Sequence, residues 1–132
     1  MQKDDLTHLS NLHKLCFPAK PWGTEEFANL KKSGCEIITS EHGFIVWRCV
    51  ADECEIHSIG VHPDHRGAGI ASAMIELMMR ELKGINKIFL EVAVDNIAAR
   101  GFYNKHGFVQ VGVRPKYYDG KIDAIVMQKI IF

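Results

Sequence analysis

Between Ile56 and Leu82 the chain passes from a short apolar strand through a turn dense in glycine into a long amphipathic helix, and no other stretch limits the fold as much. In the turn Arg66-Gly67-Ala68-Gly69-Ile70-Ala71, two positions carry no side chain and two carry only a methyl, so a ligand can lie directly against the backbone. The N–H groups of the following helical turn, reaching Ser72, sit at the positive end of the helix dipole. Together with a charged fork from Arg66 they suit phosphate or pyrophosphate. Glycines ahead of a helix also serve plain turn-and-cap chemistry, so this signal needs support from elsewhere in the chain.

Two nucleotide motifs compare poorly with the turn. The NTPase phosphate loop closes on Lys-Ser/Thr, and Ala71-Ser72 lacks the lysine; the dinucleotide fingerprint needs a further glycine where Ala73 and Met74 stand.

A length of 132 residues, 47% of them apolar, suits one domain, 1–132, with one core. Sixteen basic and sixteen acidic residues cancel, which removes the footprint of a nucleic-acid or membrane-surface binder and makes any anion site local. No apolar run reaches the roughly eighteen residues of a membrane span, and Met1-Gln2-Lys3-Asp4-Asp5 does not open like a secretory signal. Cys16, Cys35, Cys49 and Cys54 show no Cys-x-x-Cys pair and no zinc spacing with the histidines. The expectation is therefore reduced, mostly buried thiols in the cytoplasm and no metal. His62 and His65, beside Pro63, are expected on an exposed turn.

Asp4 or Asp5 can cap a first helix whose apolar positions Leu6, Leu9, Leu12, Leu15 and Cys16 run to Pro18. A second helix opens at Thr24 and ends before Gly34. The loop between them carries Phe17 and Trp22, read first as a plug on the core and second as substrate contacts. Residues 35–40, 43–50 and 53–62 read as an antiparallel meander. The helix from about Gly69 to Leu82 turns Ile70, Ala73, Met74, Leu77 and Met78 to the sheet, widened by Ile75 and Met79.

Lys87 to Val94 reads as a central strand that Glu91 interrupts. An ionised group buried without a partner costs several kcal/mol, so Glu91 either faces a wet cleft, has a raised pKa, or lies at a solvated edge. The following helix is expected to supply a partner. It starts near Asn96 and ends at Gly107, and strands Phe108 to Val113 and Ile122 to Ile131 close the chain around a loop with the turn pair Asp119-Gly120.

With these elements placed, Arg-x-x-Gly-x-Ala after Val61-His62-Pro63 resembles the pyrophosphate signature of the GNAT family of acetyl-CoA-dependent N-acetyltransferases. Asn96, Ala99, Tyr103, Gly107 and Phe108 match that family's second signature, at the expected distance downstream. Phe17, Pro21-Trp22, Tyr117-Tyr118, Asp119-Gly120, Asp123-Ala124 and Met127 are similar to the family's bacterial ribosomal-protein alanine acetyltransferases. The resemblance implies an α/β fold: a mixed, mostly antiparallel sheet with about four flanking helices. The family's usual first edge strand has little room before Asp4.

It also implies acetyl-CoA as co-substrate. The pantetheine would lie along Ile59, Gly60 and Val61, the pyrophosphate on Arg66, Gly67, Ala68, Gly69, Ile70, Ala71 and Ser72, and the far arm against Asn96. Glu91 resembles the family's general base and Tyr103, which also touches the cofactor, its general acid. Glu55 and His57 are alternative bases, and neither Cys49 nor Cys54 is expected as a nucleophile. Trp22, Tyr117 and Tyr118 would hold the acceptor, a protein N-terminus or a small amine, on a monomer or weak dimer. A non-catalytic acyl-CoA sensor would keep the glycine turn without needing Glu91 and Tyr103.

Overall fold

The structure, a computed structural model, describes residues 3–118 and 120–131. The side chains of residues 3–5 and of Tyr118 fall outside that description, and so does the Asp119 half of the turn pair; Asp4 and Asp5, expected to cap the first helix, lie inside that helix, because it already runs from Lys3. The described elements are α1 (Lys3–Cys16), α2 (Thr24–Lys32), β1 (Glu36–Thr39), β2 (Gly43–Val50), β3 (Glu53–Val61), a 3₁₀ turn at Pro63–His65, α3 (Ile70–Glu81), β4 (Lys87–Ala93), α4 (Ile97–Lys105), β5 (Val109–Tyr118) and β6 (Ile122–Ile130). The strands form one six-stranded sheet in the order β1-β2-β3-β4-β6-β5. Only β3 and β4 pair in parallel among the pairings described, so the sheet is mixed and mostly antiparallel. The described chain enters the fold on α1 and not on a strand.

The chain divides into two compact units. The first, Met1–Arg48 with Ile56–Lys83, has a core of Leu9 and Leu12 from α1, Phe27 from α2, Cys35, and Phe44 and Val46 from β2. Trp22 packs against this cluster, while Phe17 is 41% exposed, so the expected plug is chiefly the indole. On α1 the buried face is Leu9, Leu12 and His13, and Leu15 is exposed. Each step of three residues falls about 60° short of a full turn, so a run at spacing three drifts off the face by its fourth member. A similar correction applies to α3, where Met74, Ile75 and Met78 are buried while Ala73 and Leu77 are exposed. The methionines are packing, as expected, but the buried stripe is rotated.

His13 shows what burial does to an ionisable ring. Its Nδ1 accepts a hydrogen bond from the Trp22 N–H at 2.9 Å, and its ring stacks on the indole with centroids 4.5 Å apart. Removal from water lowers its pKa from 6.5 to about 4, against a smaller opposing pull from Glu26.

The second unit is Cys49–Glu55 with Gly84–Phe132. Here the expectation of reduced cysteines fails for two of the four: Cys49 and Cys54 form a disulfide, their Cα atoms 4.1 Å apart. Strands β2 and β3 leave only Ala51 and Asp52 to make the turn, which sets Cys49 across from Cys54. Ala51 takes the left-handed φ of 56° such a tight turn demands. Cys16 and Cys35 remain thiols, and burial raises the Cys16 pKa. In β4 burial alternates, with Ile88, Leu90 and Val92 on the buried face and Phe89, Glu91 and Ala93 half-buried on the other. β5 runs five residues past the expected Val113. Pro115 is tolerated because β5 is an edge strand, and Lys116, at φ 52°, anchors its N–H on Asp123 Oδ1 at 2.8 Å.

Candidate active site

The first unit holds the candidate anion cradle. Gly67 and Gly69 adopt φ of 83° and 79°, a region costly for any other residue, and a Cβ built on either would meet no atom within 4 Å. The backbone there is bent into a left-handed turn with open space on its outer side. Gly69 is the N-cap of α3; no side chain caps the helix, and its first turn carries no acidic residue. The first helical amides at Ile70, Ala71 and Ser72 therefore present an unneutralised positive dipole end, and the residues present fit a pyrophosphate.

Arg66 is less available than its motif suggests. Its Nε donates to Val61 O at 3.2 Å, so the guanidinium is folded back on the end of β3. The Cys16 thiol donates to the same carbonyl at 3.2 Å. Gly60 is glycine for packing reasons, since a Cβ there would lie 2.8 Å from the Phe44 ring and 3.0 Å from Cys16 Sγ. Ile59, Gly60 and Val61 thus form the strand end next to the cradle. His62 and His65, expected on an exposed turn, are half-buried and gather with His42, the His42 and His65 rings stacking at 3.5 Å. Among the described residues no group of three or more His, Cys, Asp or Glu is disposed to hold a metal ion.

The second unit holds the acid–base candidates. Glu91 sits on β4, which pairs with β3 on one side and β6 on the other, so the solvated-edge reading does not apply. Its side chain is 16% exposed, and Oε1 accepts from Arg114 Nη1 at 2.6 Å. This partner comes from β5, not from the following helix as expected. The carboxylate raises the Arg114 pKa by hydrogen bond and charge. Oε2 is buried and has no hydrogen-bond partner among the described residues. The Arg114 guanidinium also lies 4.3 Å from the centre of the Tyr117 ring.

Tyr103, on α4, is buried, its ring edge-on to Phe108 and Phe102 at 5.8 and 5.4 Å. Asn96 caps α4, its Oδ1 accepting from the Ala99 N–H at 3.2 Å. Of the two alternative bases, Glu55 stands on β3 opposite Phe89 in this unit, and His57 belongs to the first unit, where it is exposed. A cavity of about 350 Å³ in this unit is lined by Ile97, Arg100, Asn104, Gln110, Ile125 and Met127. Ile125 and Met127 alternate with Val126, the cross-strand partner of Glu91, so this hollow opens on the other face of the sheet from the carboxylate. Sequence reasoning missed Arg114, although a carboxylate breaking an apolar strand demands a cation.

A left-handed glycine turn ahead of a helix and a half-buried carboxylate suit an acyl-CoA enzyme, and comparison with known proteins gives the family. Residues 6–108 match the model of the Acetyltransferase (GNAT) family. The chain belongs to that family. This GNAT protein is an acetyl-CoA-dependent N-acetyltransferase. It is 33% identical over 119 residues to the [Ribosomal protein bS18]-alanine N-acetyltransferase of Escherichia coli K12, covering 83% of this chain and 80% of the relative. It is 39% identical over 78 residues to the N-alpha-acetyltransferase RimI of Mycobacterium tuberculosis, covering 58% and 49%. The crystal structure of the E. coli ribosomal-protein-S18-alanine N-acetyltransferase superposes with a TM-score of 0.87 at 29% identity, over 99% of this chain and 90% of that one. The GNAT fold is thus present with four α-helices and six strands among the described residues. None of those helices is long and apolar enough to cross a membrane.

Proposed function

We propose that this GNAT protein acetylates the α-amine of a protein N-terminus beginning with alanine or serine, a ribosomal protein being the model acceptor, in the cytoplasm. The observation that carries the reading is the similarity to the E. coli bS18-alanine enzyme across four fifths of both chains. The Glu91 carboxylate supports it. An α-amine titrates near ~8 against ~10.4 for lysine, so a modest base suffices for an N-terminus and serves a lysine less well.

In this reading the amides from Gly67 to Ser72 hold the pyrophosphate, with Ile59 to Val61 and Asn96 along the rest of the cofactor, which supplies the acetyl thioester. Glu91 takes the proton of the attacking ammonium, directly or through water. As the N–C bond forms and the C–S bond breaks, Tyr103 gives the departing sulfur a proton and regains one as the new amide nitrogen sheds its second. Trp22, Tyr117 and Tyr118 hold the first residues of the peptide, their aromatic bodies and polar tips suiting a short extended backbone.

The test is thiol release from acetyl-CoA in the presence of peptides differing in their first residue, with mass spectrometry locating the acetyl group. Peptides beginning Ala, then Ser, should react at the α-amine, and the same peptides with a blocked N-terminus and a free lysine should react poorly. Acetyl found on lysine side chains, or a polyamine or amino-sugar that outcompetes every peptide, would leave the GNAT activity standing and remove this acceptor.

A further inference from the structure

Glu91 and Arg114 stand on strands that are not neighbours, since β6 runs between β4 and β5. Glu91 is opposite Val126, Val126 is opposite Gly112, and Arg114 is opposite Ala124, so both side chains project from one face. Crossing β6 means spanning two strand spacings, roughly 9–10 Å, which calls for the longest cationic side chain. Gly112 leaves that row open: a Cβ there would meet only the Val126 Cβ, at 3.9 Å.

The arm is also held along its length. Pro115 restricts Arg114 to extended backbone, the Lys116 N–H is tied to Asp123, and the guanidinium lies over Tyr117. All of this delivers one bond, to Oε1. The other oxygen, Oε2, stays buried without a hydrogen bond among the described residues, an arrangement that costs free energy unless something arrives to use it.

Building on the assignment of Glu91 as base, we propose that Arg114, steadied by Tyr117, is a positioning residue that holds Glu91 by Oε1 and so keeps Oε2 as the acceptor for the incoming amine. One proton passes from the amine nitrogen to Oε2, and Arg114 exchanges none. The pairing also selects among acceptors. A guanidinium bound to the carboxylate offsets its charge, so a fully protonated amine gains little there, and an amine already partly neutral at the working pH is favoured.

The experiment is a cycle of Arg114→Ala, Glu91→Gln and the double variant, read as kcat and as KM for peptide and for acetyl-CoA, with Arg114→Lys and Tyr117→Leu alongside. Arg114 is 54% exposed, so its loss should leave folding intact. Arg114→Ala should lower kcat by about 10-fold with the KM for acetyl-CoA unchanged, a fraction of what a general base contributes. Millimolar guanidinium should restore part of the loss and Arg114→Lys should lie in between. Tyr117→Leu should lower kcat less than Arg114→Ala. In the Glu91→Gln background, Arg114→Ala should change kcat no further.

An equal loss from Arg114→Ala in both backgrounds would mean that it does not act through Glu91, and the proposal fails. A rise in kcat/KM for peptide would make Arg114 a plug that substrate displaces, which also overturns it. If Glu91→Gln is crippled while Arg114→Ala turns over normally, the base stands and the positioning role falls. Wild-type turnover in Glu91→Gln would remove both.

Discussion

The cradle ahead of α3 and the face around Glu91 are built by opposite means. The cradle is backbone: two left-handed glycines, an uncapped helix end and an arginine largely committed to a nearby carbonyl. The Glu91 face is side chain: a carboxylate, a guanidinium from two strands away and a ring beneath it. The first depends on what is missing at a few consecutive positions. The second depends on register, because Glu91 and Arg114 lie 23 residues apart and meet only through the alignment of β4, β6 and β5. A backbone site should tolerate side-chain changes that preserve φ and charge, whereas a side-chain site should fail atom by atom.

The largest expected effect strikes the backbone site. Gly69→Glu places a carboxylate at the helix N-terminus and a side chain on a φ of 79°, and calorimetry should find no CoA binding. Gly69→Ala separates the two causes, losing about 1–2 kcal/mol of conformational energy without the charge. For the wild type, CoA at 100 times Kd should stabilise the fold by about 2.7 kcal/mol. No thermal shift in millimolar CoA would break the comparison at its first half.

Next in size, Glu91→Gln and Tyr103→Phe should each lower kcat by about 10²-fold or more while CoA affinity, measured by the same calorimetry, survives. Loss of affinity in either variant would mean that the two sites are not separable.

Arg66→Ala sharpens the cradle side. With its Nε bonded to Val61 O, the arginine is a supporting element, and its loss should weaken CoA binding by no more than about 10-fold. A loss as complete as that of Gly69→Glu would make the arginine, not the amides, the main anion holder.

The smallest effect leaves function alone. His13 has a folded pKa of about 4 against 6.5, so below pH 6.5 the unfolded chain takes up a proton that the folded one refuses. Its contribution to stability is whole above 6.5, declines as pH falls, and is gone near 4. Melting scans should show Tm dropping by roughly 5–10 °C over that window, and His13→Gln should flatten the slope.

Legibility followed the same divide. The glycine turn could be read because conformational need is written locally in residue type, and Glu91 stood out because a carboxylate cannot enter an apolar strand without a reason. Arg114 is harder to read, because Pro115 and the turn pair point to a loop after Val113, although an edge strand accepts proline. The first helix is legible in its apolar spacing, but that spacing taken three by three puts the exposed Leu15 on the buried face. The cysteine pair was within reach. Strands ending at residue 50 and resuming at 53 already put 49 across from 54, but apolar, strand-like surroundings with no Cys-x-x-Cys pair point equally to buried thiols.

The Cys49–Cys54 bond closes a covalent ring of six residues around the Ala51–Asp52 turn. A ring that small removes about 2 kcal/mol of loop entropy from the unfolded chain. Its larger consequence concerns phase. A strand that slips by one residue turns every side chain to the opposite face, and hydrogen bonds alone hold most hairpins against that error. Here the slip would require breaking a sulfur–sulfur bond. Cys54 is in turn the partner of Ile88, three residues before Glu91. Oxidation therefore acts as a ratchet on alignment, fixing the hairpin in one phase and handing that phase to the start of the strand that carries the carboxylate.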